Sequence, residues 1–219
     1  MLVHGFSATK DDPALVAVAE ALCADGHLVV SYTGRGHGDS GGLCTLGDLE
    51  HLDVEAAVLH ARQDADRVVL VGASMGAIAV LRHASEADPD GVVTVSSPAE
   101  WRVPRTVQSF AAALLTQTPP GRWLAHRWMN VRLAEGWTGA DAPVTLASRI
   151  RAPLAVIHGR ADHFIKHGEA HKLFHAATGP RRLHLVERMG HAYMPEAIPA
   201  IRDSVGWTLS DEHRTDLVG

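Results

Sequence analysis

The segment Gly72-Ala73-Ser74-Met75-Gly76 sets a serine between two glycines, at the end of the apolar run Arg67-Val71 and the start of a stretch with helical period. A serine in that context sits on a sharp strand-to-helix turn with its hydroxyl exposed, a nucleophile elbow. The turn needs small neighbours, because larger side chains would strike the adjacent strand and helix. A glycine-bounded turn with no chemistry shows the same local pattern. Serine is a poor nucleophile at neutral pH and needs a base to accept its proton. His191, after Gly190 in the loop that follows the last apolar run, is a candidate base. Asp162, just past the run Leu154-Gly159, is a carboxylate able to fix the imidazole tautomer and stabilise the imidazolium. A surface histidine and a helix-capping aspartate are the plainer alternatives.

Other chemistries find less support. The glycine-rich loop from Gly34 to Gly42 invites a phosphate-binding reading, yet no Gly-Lys-Ser/Thr follows it and no G-x-G-x-x-G leads directly into a helix. A structural turn near the active site is the better reading. His167, His171 and His175 recur every four residues and share one face of a helix, but no nearby carboxylate or cysteine completes a metal shell, so a solvated face is expected. Cys23 and Cys44 make no disulfide framework in 219 residues and are expected to be free thiols. No metal or cofactor is implied.

The elements that must position these residues follow from hydrophobic period. Short apolar runs at Leu2-His4, His27-Tyr32, Arg67-Gly72, Gly91-Ser97, Leu154-Gly159 and Arg182-Glu187 alternate with helical stretches. That alternation indicates a parallel sheet covered by helices on both faces, an α/β fold. Asp12 and Pro13 start the first helix and Gly26 stops it. A second helix is expected from about Leu46 to Ala65, with Thr45 and Asp48 as a capping pair. Further helices are expected over Met75 to Ala87, Glu169-Ala177 and Pro195-Leu209.

The stretch from Pro98 to Ala152 breaks this rhythm and reads as a lid insertion in a single domain. It holds Trp101, Trp123, Trp128 and Trp137, and between Trp101 and Arg151 seven arginines against Glu135 and Asp141 give a formal charge of +5 in a chain of net charge -5. The tryptophans are candidates for lining an acyl or aromatic pocket. The arginines are candidates for a carboxylate, a phosphate-bearing carrier or a carrier protein. The net charge and a pI near 6.3 give no global attraction to nucleic acid or an anionic membrane, a local patch aside. No secretory leader precedes Leu2 and no run has membrane-spanning length, so the cytoplasm is the expected location.

Four separated motifs resemble the α/β-hydrolase superfamily, in its order: His4-Gly5-Phe6, Gly34-Arg35-Gly36-His37-Gly38-Asp39-Ser40, the elbow at Ser74, and His158-Gly159-Arg160-Ala161-Asp162 with Gly190-His191. The chain is similar in particular to small bacterial serine carboxylesterases of the cinnamoyl-esterase and dienelactone-hydrolase-like kind. The resemblance implies a Ser74, Asp162, His191 triad and an oxyanion hole from the backbone N–H groups of Phe6 and Met75. It also implies a six-stranded sheet lacking the family's two leading strands, with His27-Tyr32 on an exposed edge where a second copy could pair. The implied activity is cleavage of an ester, or of a thioester, through an acyl-enzyme. An acyltransferase or a lyase or cyclase would use the same residues, and a silent small-ligand module would keep the pocket alone.

Overall fold

The computed structural model describes residues 1–101, 107–136 and 139–210. Five strands form a parallel sheet in chain order: β1 (Leu2–Val3), β2 (Val69–Ala73), β3 (Gly91–Val95), β4 (Leu154–Gly159) and β5 (Arg181–Val186). The registers pair Leu2 with Val71, Val71 with Val93 and Val93 with Ala155.

Strands β2 to β4 are wholly buried because each face of the sheet is covered. On one face Val3, Leu70, Val92 and Leu154 pack under helices α2 (Glu50–Ala61), α3 (Met75–Glu86), α6 (Pro143–Ala147) and α7 (Gly168–Ala176). On the other, Leu2, Val71, Val93 and Ile157 pack under α1 (Pro13–Ala24) and α8 (Ile198–Thr208). Alternate residues of each strand serve alternate faces, so the continuous apolar runs are two half-cores in register.

Helix α1 starts as expected: the Asp12 side chain accepts the N–H of Ala14 and Pro13 opens the helix. Helix α8 is preceded by a short 3-10 turn over Pro195–Ala197.

Two local expectations are corrected. The stretch His27–Tyr32 lies on the outer edge of the sheet beside β1, but it is not a regular strand. Its pairing is one hydrogen bond from the Leu2 N–H to the Val30 carbonyl and one bridge between Leu2 and Ser31. Strand β1 offers a partner only two residues long, because His4 and Gly5 leave the sheet at once. The second correction concerns Thr45 and Asp48, which do not cap together. Helix α2 begins at Glu50, whose buried carboxylate accepts the Thr45 N–H at 2.6 Å, the Thr45 hydroxyl at 2.7 Å and the Gly47 N–H at 2.8 Å. Asp48 pairs with Arg82 of α3 instead.

The insertion divides in two. Its last part, with Leu146, Ala147 and Ile150, is buried in the main core beside α3 and α7. Its earlier part forms a hairpin of α4 (Val107–Gln117) and α5 (Pro119–Met129), turned at Thr118, which caps α5 through the Gly121 N–H.

Glu50 holds three donors inside the protein, and removing one partner of a buried charged network leaves the others unsatisfied. Glu50→Ala is expected to lower the unfolding free energy by about 3 kcal/mol. The shift should be read from the urea midpoint at unchanged m-value.

Candidate active site

Ser74 joins β2 to α3 with φ 51° and ψ -113°, a backbone conformation that a non-glycine residue holds only when its surroundings impose it. Its N–H donates to the Val95 carbonyl of β3 at 2.9 Å. The flanking glycines explain the rest. A Cβ on Gly72 would lie 2.4 Å from the Gly76 oxygen, and one on Gly76 would lie 2.5 Å from the His4 oxygen. Gly5 packs against the Ser74 Cβ, where a side chain would sit at 3.5 Å.

The structure brings Ser74, Asp162 and His191 together from three loops at the C-terminal ends of β2, β4 and β5. The Ser74 Oγ lies 2.9 Å from His191 Nε2, and His191 Nδ1 lies 2.8 Å from Asp162 Oδ2. Nδ1–H donating to the carboxylate leaves Nε2 as the acceptor for the serine proton. Gly159 makes room for this arm: a Cβ there would lie 2.2 Å from the Met189 oxygen and 2.4 Å from the Gly190 oxygen. The Phe164 ring stands 5.0 Å from the His191 ring and screens one side of it.

Asp162 is buried, and its other oxygen accepts the backbone N–H groups of Phe164 and Ile165, each at 2.8 Å. His158, also buried, donates from Nε2 to the Ile165 carbonyl at 2.9 Å and lies 3.4 Å from Asp162 Oδ2. Burial alone would raise the Asp162 pKa; the His158 and His191 hydrogen bonds, the His191 charge and the Ile165 N–H outweigh it, holding the carboxyl well below its ordinary value.

Phe6 lies in the loop after β1 and Met75 opens α3. Among the described residues neither N–H has a protein acceptor, as an oxyanion hole requires. The loop carrying Phe6 is braced by two buried histidines. His4 donates from Nδ1 to the Gly5 carbonyl at 2.7 Å and accepts the Gly34 N–H on Nε2 at 2.8 Å. His37 donates to the Arg35 carbonyl at 2.9 Å and receives the Ser7 N–H at 3.4 Å. Burial pushes both imidazoles down from their usual pKa, which suits rings used as neutral acceptors. A cavity of about 230 Å³ opens beside Ser74 and His191, walled by Phe6, Ala8, Asp12, Leu15, Phe164 and Ala192.

The model of the alpha/beta hydrolase family matches residues 1–201. The chain belongs to the α/β-hydrolase family. It is 29% identical over 162 residues to the uncharacterized protein YfhR of Escherichia coli O157:H7, covering 72% of this chain and 51% of that one. The chain thus spans about half the length of this curated relative. Its fold is similar to that of the Pyrococcus furiosus esterase Pf2001, with TM-score 0.71, 23% identity and coverage of 95% and 80% of the two chains. It is also similar to a monoacylglycerol lipase of Paleococcus ferrophilus, with TM-score 0.64, 19% identity and coverage of 94% and 92%. Among the described residues, no helix of this α/β-hydrolase is long and apolar enough to cross a membrane.

Among the described residues, Trp101, Trp123 and Trp128 do not line the cavity at Ser74. Trp101 donates its indole N–H to the Ala140 carbonyl at 2.9 Å. Trp123 and Trp128 are 65% and 77% exposed on α5, and Trp137 lies outside the described residues. A solvent-facing helix stripe and a pocket stripe have the same period, so only the direction of α5 separates them. Two of the described arginines bind the protein itself: Arg132 donates to the Gly38 and Ser40 carbonyls, and Arg149 pairs with Asp141. Arg132 therefore clasps the glycine-rich loop, with Gly36 and Cys44 exchanging backbone hydrogen bonds with its segment. His158 and Phe164 are site residues that the sequence reading passed over. The placement of His158 four residues before Asp162 in one motif was the available signal.

A carboxylate depressed in the folded state adds stability above its unfolded pKa and loses it as pH falls through the folded value. The ordinary value is 3.8. The unfolding free energies of wild type and Asp162→Asn are expected to run parallel between about pH 5 and 7. Wild type should lose its relative advantage progressively below about pH 4, in urea titrations at a series of pH values.

Proposed function

We propose that this α/β-hydrolase is a serine hydrolase that cleaves a carboxylic ester through an acyl-enzyme on Ser74. The observation that carries the reading is the unbroken relay of 2.9 Å and 2.8 Å from Ser74 through His191 to Asp162. The esterase and lipase named among its structural neighbours favour esters over thioesters.

In the first half-reaction the Ser74 oxygen attacks the acyl carbon while His191 Nε2 takes its proton. The negative charge that forms on the carbonyl oxygen is received by the Phe6 and Met75 N–H groups. Both donors are main chain and fixed before substrate arrives, so little reorganisation is needed as charge develops. Helix α3, beginning at Met75, adds the positive end of its dipole. His191 then returns the proton to the departing alkoxide. In the second half-reaction water enters, His191 removes its proton, hydroxide attacks the acyl carbon and the acid leaves with Ser74 restored. Asp162 stays ionised throughout and stabilises the imidazolium, consistent with its depressed pKa.

A fluorophosphonate should label wild type stoichiometrically at Ser74 and leave Ser74→Ala unlabelled. Turnover of p-nitrophenyl esters should fall by roughly a thousandfold or more in Ser74→Ala and by about ten-thousandfold in Asp162→Asn, mainly in kcat. A folded wild type that takes no label and turns over no ester or acyl-CoA thioester would return the chain to the class of ligand-binding modules.

A further inference from the structure

The outer face of the α4–α5 hairpin takes no part in the relay at Ser74, and folding does not account for its composition. The inner side of α5 is satisfied: Ala125 is fully buried and packs with Met75, Val131 and Leu133. At 100° per residue, Trp123, Leu124, Arg127 and Trp128 fall within one sector of about 140° on the opposite side. All four are exposed. On α4, Phe110 and Leu114 are exposed one turn apart. Single exposed apolar side chains are ordinary, but a hairpin that exposes six, Met129 included, has the composition of a binding face.

The charge of the hairpin points to the occupant. Residues 107–129 contain Arg122, Arg127 and His126 and no acid, in a chain of net charge -5. Beside Trp123 lies a groove of about 270 Å³ lined by Arg122, His126, Arg132, Leu133 and Glu135. Arg122 is held only loosely, at 3.4 Å from the Gln117 carbonyl and 3.8 Å from Glu135. Indole rings set with a guanidinium on one helix face, next to a basic groove, match a lipid–water interface, where the rings sit at headgroup depth and the cations meet phosphate. The local sign selects anionic headgroups although the protein as a whole is acidic.

We propose that the α4–α5 hairpin docks the protein on an anionic lipid surface through Trp123, Leu124, Trp128 and Arg127, with the Arg122 and His126 groove facing headgroup phosphates. The same helix rests on Met75 through Ala125, so docking sets the surface close to the cavity at Ser74. Docking itself does not depend on the ester reading, since binding needs neither Ser74 nor His191.

The test is co-sedimentation with vesicles of phosphatidylcholine alone and of phosphatidylcholine with about one third phosphatidylglycerol, at low and high salt. It uses wild type, Ser74→Ala, Arg127→Gln and the double variant Trp123→Ala/Trp128→Ala, each verified as folded by circular dichroism. Wild type and Ser74→Ala should bind the anionic vesicles equally, with a blue shift of tryptophan emission. Binding should weaken on the order of tenfold without phosphatidylglycerol or at high salt. The double variant should bind at least about tenfold more weakly and Arg127→Gln about fivefold more weakly. Turnover of a water-soluble p-nitrophenyl ester should be unchanged in the double variant. The proposal is overturned if folded wild type does not sediment with anionic vesicles at low salt, or if the double variant binds as wild type does. It is also overturned if, without lipid, wild type self-associates on size-exclusion chromatography and the double variant does not, because a second copy then covers the face. A failed ester reading would show separately, as undiminished turnover by Ser74→Ala.

Discussion

A Cβ at position 76 would lie 2.5 Å from the His4 carbonyl oxygen and 2.6 Å from that of Val3, while one at position 72 would meet the Gly76 oxygen at 2.4 Å. Strands β1 and β2 and the start of α3 therefore touch backbone to backbone around Ser74, and nothing larger than hydrogen fits between them. This contact holds the serine turn in its positive-φ geometry. The strain is held because α3 is embedded, with nine of its twelve residues buried, so the turn has no relaxed alternative that keeps the core.

The histidine arm obeys the same rule. Gly159 ends β4 where the Met189 and Gly190 carbonyls pass too close for a side chain, which lets the loop after β5 fold over the end of β4. His191 then reaches both the serine and the carboxylate. Asp162 is kept ionised inside the protein by two histidine rings and two backbone N–H groups, the kind of full pairing that a buried charge requires. The insertion contributes indirectly. Arg132 ties down the glycine-rich loop, Gly34 of that loop ties down His4, and His4 holds the turn that leads to Phe6.

Much of this was legible in the chain because it is written in local terms. Continuous apolar runs mark strands buried on both faces, Asp12-Pro13 marks a helix start, and glycines at 72 and 76 mark close backbone approach. The failures are equally physical. His27-Tyr32 has strand composition, but a strand also needs a partner of adequate length, and β1 ends after two residues. Thr45 and Asp48 have the spacing of a capping pair, but Glu50 offers a carboxylate that reaches three donors at once. Trp123 and Trp128 have the residue type of a pocket lining, and residue type is blind to which side of a helix faces the protein.

The sequence by itself determined the α/β class, the position of the serine turn and the three residue types a relay would need, since each depends on neighbours along the chain. Only the tertiary structure decided that the three lie within hydrogen-bond reach, that His158 supports Asp162, and that the tryptophans of α5 face solvent rather than the cavity. Those facts depend on residues far apart in sequence, such as Ser74 and His191, 117 positions apart, whose meeting is set by how loops cross the end of the sheet.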